Sequence, residues 1–138
     1  MRVSVPVAVW GEGWGGFAPE WFDAVEAMTR KPDEIVIGLE DPDRAHVHIR
    51  DLRNINMRVV TLEPGGFNDY WNQVFDACTG DWIAPCCIDD RFLPDALAEI
   101  VNLKAERDVM AERCRAAEER EKMVRAENNR LRTRGTDS

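Results

Sequence analysis

The sequence has no apolar stretch near the ~20 residues that a bilayer-spanning helix requires. No segment therefore reads as a membrane span. The apolar run in MRVSVPVAVWGEGW is broken too early, by Trp10 and Glu12, for a signal peptide. The four cysteines, Cys78, Cys86, Cys87 and Cys114, contain no CxxC pair. Cys86 and Cys87 are adjacent, so on a strand they would point to opposite faces and could not easily share one zinc ion. These features predict reduced, mostly buried thiols and a cytoplasmic setting. There is no basic stripe either, which argues against a nucleic-acid partner. The glycine-rich loop after the first apolar run has Gly11, Gly13, Gly15 and Gly16, a spacing that is not GxGxxG. Between residues 95 and 134 there is neither glycine nor proline.

What is present divides the chain in two. Of 138 residues, 44% are hydrophobic and 32% charged, enough apolar content for one modest core. Residues 1–102 carry 8 Lys+Arg against 18 Asp+Glu, a net of −10, whereas residues 103–138 carry 10 against 8, a net of +2. An acidic globule over 1–102 and an extended helix over 103–138 are expected.

In the first part, VSVPVAVW (3–10), DEIVIGLED (33–41) and MRVVTLE (57–63) read as buried strands. DWIAPCCID (81–89) reads as a fourth, with Pro85 marking a bulge or an edge. Helices are predicted over 19–30, with a proline in the first turn, and over 65–80, with glycine at both ends. RAHVHIRDL (44–52) fits a strand by alternation and a short helix by composition. Strands alternating with helices predict an α/β fold with a mostly parallel, Rossmann-like sheet flanked by helices. Ligands of such sheets bind outside the carboxyl ends of the strands. Those ends carry Glu40, Asp41, Asp89 and Asp90 beside the glycine loop.

In the second part, with Ile100 at heptad position a, the d positions are Leu103, Met110, Ala117, Val124 and Leu131. The a positions are Ile100, Arg107, Cys114, Glu121 and Asn128, a half-polar seam. A helix of about 40 residues is about 60 Å long, too long for a small globule to cover. A coiled coil is expected, with a parallel homodimer favoured by Asn128 at position a. A solvated single helix held by i,i+4 charge pairs is the competing reading.

Asp89 and Asp90 at a strand exit suit a divalent ion, although aspartate is also common in turns. His46 and His48 form an HxH with no third ligand nearby and read as structural. Trp10 and Trp14 are placed to stack on a base or a sugar. Trp21, Trp71 and Trp82 read as core.

The stretch EPGGFNDYWNQVFDACTGDWIAPCCIDDRFLPDALAEIV (63–101) resembles the segment of family-two glycosyltransferases that carries their DxD motif. Gly65-Gly66, Thr79-Gly80-Asp81, Asp89-Asp90 and Leu93-Pro94-Asp95-Ala96-Leu97 follow that family's order and spacing. The resemblance is specific over 63–101 and looser before it. It implies a GT-A fold, a nucleotide-sugar donor such as a UDP-sugar, and Mn²⁺ or Mg²⁺ bridging the donor phosphates. It implies that Asp89 and Asp90 hold the metal. It also implies that Val9, Trp10, Glu40, Asp41, Asn72 and Asp89 line the donor site. Three departures stand out: Cys87 replaces the first acid of the DxD triplet, Ala8-Val9-Trp10 replaces Pro-Thr-Tyr, and Trp71 replaces an arginine. The family's following segment, which supplies the acceptor site and the base, has a charged helix in its place, so neither acceptor nor catalytic base is assigned. A non-catalytic binding or scaffold module displayed by the helix is the alternative reading.

Overall fold

The computed structural model describes residues 1–11 and 14–136. Glu12 and Gly13 of the glycine loop lie outside the described residues. The chain forms two compact units, Met1–Glu99 and a helical segment from Ile100 onward.

The first unit is built on a four-stranded parallel sheet in the order β3-β2-β1-β4. β1 (Val3–Val9) and β2 (Glu34–Leu39) are central and buried at every position. Such strands need near-continuous apolar sequence, which is why VSVPVAV and EIVIGL were legible. β3 (Asn56–Thr61) lies on one edge and is half exposed. α1 (Ala18–Glu26) buries Ala18, Trp21, Phe22 and Val25. α3 (Phe67–Ala77) packs Tyr70, Trp71 and Val74 on Ala8 and Val36. A side chain on Gly38 of β2 would collide with Val74 and Leu62, so glycine here sets how closely α3 can approach. Both helices are shorter than the ranges 19–30 and 65–80 expected from sequence.

Expectations for two strands are corrected: 57–63, expected to be buried, is the half-exposed edge strand β3, and the fourth strand is shorter than expected. The fourth strand is not 81–89 but only β4, Trp82–Ile83, paired with β1 at Val3 and Ser4. Pro6, not Pro85, ends the pairing. The carbonyls of Arg2, just before β1, and of Ser4 and Pro6 within it face this edge: Arg2 O accepts from Trp82 N, Ser4 O from Ala84 N, and Pro6 O from Cys86 N. The next return bond would come from the nitrogen of Pro6, which carries no hydrogen. The chain still runs beside β1 to Cys86, but the ladder stops. Pro85 alternates with these donors and points to the open edge, where a missing N–H costs nothing.

Of the two readings left open for 44–52, the structure takes the short helix over the first part of the segment. The segment is helical, as α2 (Pro42–Ala45) followed by a 3₁₀ turn at His46–His48. Asp41 caps it by accepting from Arg44 N at 3.3 Å, and Pro42 occupies the first turn.

The lower end of the sheet is locked by a buried acid. Glu34 is 1% exposed. It accepts from Ser4 Oγ (2.5 Å), Thr79 N (2.8 Å), Thr79 Oγ1 (3.0 Å) and Arg58 Nη2 (3.0 Å). Arg58 also donates to Ala77 O. Gly80 N donates to Ser4 Oγ, and a side chain at Gly80 would lie 2.6 Å from that oxygen. The Thr79-Gly80 join thus serves packing: it fastens the end of α3 to β1 and β2.

The second unit is the body of α4 (Ala96–Gly135), a continuous helix consistent with the absence of glycine and proline before residue 135. No helix among the described residues is long and apolar enough to cross a membrane.

Candidate donor-binding site

Sheet order decides where a site forms. β1 connects onward to β2 on one side, and β4 later pairs on the other side of β1. The connections thus diverge at the carboxyl ends of β1 and β4, which leaves a crevice there. A cavity of about 460 Å³ occupies that place, lined among others by Val9, Trp10, Trp14, Ile88 and Asp89. A neighbouring cavity of about 760 Å³ extends over β2 and shares Val9, Trp10 and Trp14 with the first. It adds Glu40, Asp41, Arg44 and His48. Asn72 and Asp90 line a third cavity of about 680 Å³, which shares Phe67, Trp71 and Cys87 with the first.

Each residue singled out in the sequence has a definite setting. Trp10 is 39% exposed and rests on Phe67 (centroids 5.7 Å apart, edge-on) and Tyr70 (5.3 Å). It forms the common wall of the first two cavities. Glu40 is engaged locally: it accepts from Gly11 N at 3.0 Å and Tyr70 Oη at 3.4 Å. Gly11 has φ of +74°, a conformation that glycine adopts without steric cost. Glu40 thereby fixes the backbone turn that leaves β1. Asp41 combines its capping role with a 3.7 Å approach to Arg44 Nε, and its side chain is 55% exposed. Trp21 and Trp71 are buried, as expected of core residues.

Asp89 and Asp90 sit on a turn closed by Asp90 N to Cys87 O at 3.0 Å. Arg91, which the sequence reading passed over, holds that turn. Its Nη1 donates to Ile88 O (2.8 Å) and Asp90 O (2.6 Å). Its Nη2 donates to Phe17 O (3.2 Å) and Glu20 (3.1 Å), tying the turn to the start of α1. The tie to α1 was invisible because Phe17 and Glu20 lie about seventy residues away. Arg91→Ala should leave the acids in place but loosen their turn. The expected loss of stability is about 1.5–3 kcal/mol, the usual worth of a charge-assisted bond. Chemical denaturation measures it.

Arg44, which sequence reasoning did not assign, and His48, read from sequence as structural, also line the second cavity. His48 stands edge-on to Trp14, with centroids 5.1 Å apart. A side chain on Gly15 would lie 2.6 Å from the His48 ring, so this glycine admits the imidazole. That role is structural, as read.

One atom each from Cys87, Asp89 and Asp90 lies within 4.8 Å of the others. The donor set favours a hard ion held by the two carboxylates. Mn²⁺ and Mg²⁺ take oxygen ligands and commonly use one or two carboxylates plus substrate phosphates. Cys87 is a poor ligand for such an ion: burial, with Asp90 and Asp89 nearby, raises its pKa and keeps the thiol protonated. Cys86 is buried more deeply and pushed up to about 11. All four cysteines are free; against the expectation of mostly buried thiols, only Cys86 is buried, Cys78 and Cys87 are half-buried and Cys114 is exposed.

The sequence profile of glycosyl transferase family 2 matches residues 4–137. The chain belongs to this family. No curated protein sequence matches it. Among solved structures it is similar to residues 1–349 of TarS from S. aureus, with a TM-score of 0.60 and 17% identity over 77% of this chain. The same TarS segment in complex with UDP-GlcNAc gives a TM-score of 0.56 at 16% identity. Rv0371c from Mycobacterium tuberculosis H37Rv gives 0.50 at 13% identity, over 75% of this chain and 61% of its own. The chain spans about a third of the TarS structure. These likenesses establish a GT-A-like fold: a parallel sheet with flanking helices, followed here by a long helix.

Proposed function

We propose that the first unit binds a nucleoside diphosphate sugar and serves as the donor-binding part of a family 2 glycosyltransferase. The observation that carries this reading is the crevice at the point where the sheet connections diverge. It brings Val9, Trp10 and Trp14 together with acids on either side, Glu40 and Asp41 toward β2 and Asp89 toward β4. The base and ribose lie on the β2 side. There Asp41 accepts hydrogen bonds from the nucleoside, Glu40 holds the Gly11 turn, and an exposed indole offers a stacking face. The diphosphate lies toward Asp89 and Asp90. These two carboxylates would hold Mn²⁺ or Mg²⁺, which would offset the charge of the departing diphosphate. Asn72 and Asp90 face the neighbouring cavity, where an amide and a carboxylate suit sugar hydroxyls. Arg44 adds positive charge to an otherwise acidic rim. UDP-GlcNAc bound to TarS supports a UDP-sugar as the donor class.

Tryptophan fluorescence tests the nucleoside end. UDP added in the presence of Mn²⁺ should quench emission, and Trp10→Phe should remove much of the quenching. Asp41→Ala should weaken UDP about tenfold or more, the worth of a hydrogen bond to a charged group. Unchanged affinity in Asp41→Ala would place the nucleoside elsewhere.

A further inference from the structure

Among the described residues, the second unit exposes an apolar row along one side of its helix. Leu103, Met110, Val124 and Leu131 are 64%, 56%, 59% and 55% exposed, and they recur at one heptad position. Intrahelical ion pairs hold the helix itself: Lys104–Asp108, Glu119–Lys122, Glu121–Arg125 and Glu127–Arg130. These pairs explain why it is helical but leave the row bare.

We infer that a second copy of this chain covers the row, as a parallel, in-register two-stranded coiled coil. Flanking charge selects both the partner and its direction. In a parallel pair, each g residue meets the e residue five positions later in the mate. Arg113 then meets Glu118, and Glu127 meets Arg132. The half-polar a seam is satisfied by the same geometry. The hole that receives an a residue includes the preceding g residue of the mate. Arg107 therefore reaches Glu106 of the other copy, and Glu121 reaches Arg120. Asn128 meets Asn128, the pairing that fixes register at some cost in stability. Like charges meet at Arg107 with Arg107 and at Glu121 with Glu121, each offset by the g residue just named, and at Arg120 with Arg125, where Arg125 is drawn to Glu121 of its own chain at 2.5 Å.

An antiparallel pair with full overlap fares worse. It sets Ile100 against Leu131 and brings g residues together as Glu106 with Glu127 and Arg113 with Arg120. Its e positions bring Lys104 against Arg125. Each of these pairs has like charges.

The two directions also differ at Cys114. In the parallel pair it faces its own copy, where Cα atoms of facing a residues lie about 6 Å apart, within disulfide range. In the antiparallel pair it faces Ala117.

Sedimentation equilibrium on the full chain should give twice the chain mass at tens of micromolar. Mild oxidation with copper phenanthroline should then yield a covalent dimer. Cys114→Ser should abolish the cross-link and keep the dimer. Val124→Glu should raise the dissociation constant at least 100-fold. Arg113→Glu should raise it about tenfold, and adding Glu118→Arg should restore it. A monomer throughout would overturn the inference, as would a dimer whose cross-link does not require Cys114. An unchanged dissociation constant in Val124→Glu would also overturn it.

Discussion

Glu34→Ala is expected to destabilise the first unit by about 3 kcal/mol or more, because Ser4 Oγ and Thr79 N lose their acceptor at about 1–3 kcal/mol each, while Arg58, 41% exposed, can turn to water. The substitution leaves the Arg58 guanidinium, the Ser4 hydroxyl and Thr79 N without their acceptor. It also frees the Thr79-Gly80 join from β1. Because 1 kcal/mol moves Tm by about 4–8 °C in a unit of this size, the drop should exceed about 10 °C. The same carboxylate predicts acid sensitivity. Burial opposes its ionisation, yet bonds from Ser4, Thr79 N, Arg58 and Thr79 Oγ1 bring its pKa from the usual 4.5 down to about 2. The folded pKa lies below the unfolded one, so the stabilisation is complete above about pH 4.5 and is lost as pH falls toward 2. It amounts to about 3 kcal/mol at neutral pH. Denaturation curves at pH 7 and pH 3 should therefore differ strongly in the natural protein and much less in Glu34→Ala. An equal loss in both would remove Glu34 from the account.

Asp89→Ala is expected to abolish the dependence of donor binding on metal. Loss of a supporting residue near a metal typically costs 10–100-fold in affinity, and loss of one of two carboxylate ligands should cost at least as much. Electron paramagnetic resonance of Mn²⁺ in the presence of UDP reads free metal directly. The natural protein should deplete the free signal, while Asp89→Ala should leave it intact. Cys87→Asp is a useful counterpart. It restores the acid that the resemblance leads one to expect at this position and should tighten Mn²⁺, since a carboxylate suits the ion better than a protonated thiol. Tighter binding in Cys87→Asp and loss in Asp89→Ala would together place the ion on this turn.

The sequence showed its long-range order more clearly than its short elements. β1 and β2 were readable because strands buried on both faces carry few polar residues. α1 and α3 were readable because their buried residues recur at helical spacing. β4 was not, since its length depends on Pro6, a residue of the neighbouring strand. The segment after Asp41 was ambiguous because AHVHIR alternates like a strand. Its helical start is set by the Asp41 cap and Pro42, local signals that lie outside the alternating stretch itself.

The site divides in the same way. Asp89, Asp90, Glu40 and Asp41 stood out as acids at strand ends. What Glu40 does with Gly11 and Tyr70, and what Arg91 does with Phe17 and Glu20, depends on partners distant in sequence. Such roles emerge only when the chain is folded. Asn72 and Asp90 face one cavity and Glu40 and Asp41 another, each adjoining the cavity that Asp89 lines, a division that no spacing in the chain encodes.

The most direct test of the donor site is calorimetric titration of UDP-GlcNAc and UDP into the full chain, once with Mn²⁺ and once with a chelator. The account predicts saturable, one-to-one binding with Mn²⁺ that weakens at least tenfold when the metal is withdrawn. Absence of heat from either nucleotide in the presence of Mn²⁺, with the protein shown to be folded, would contradict it.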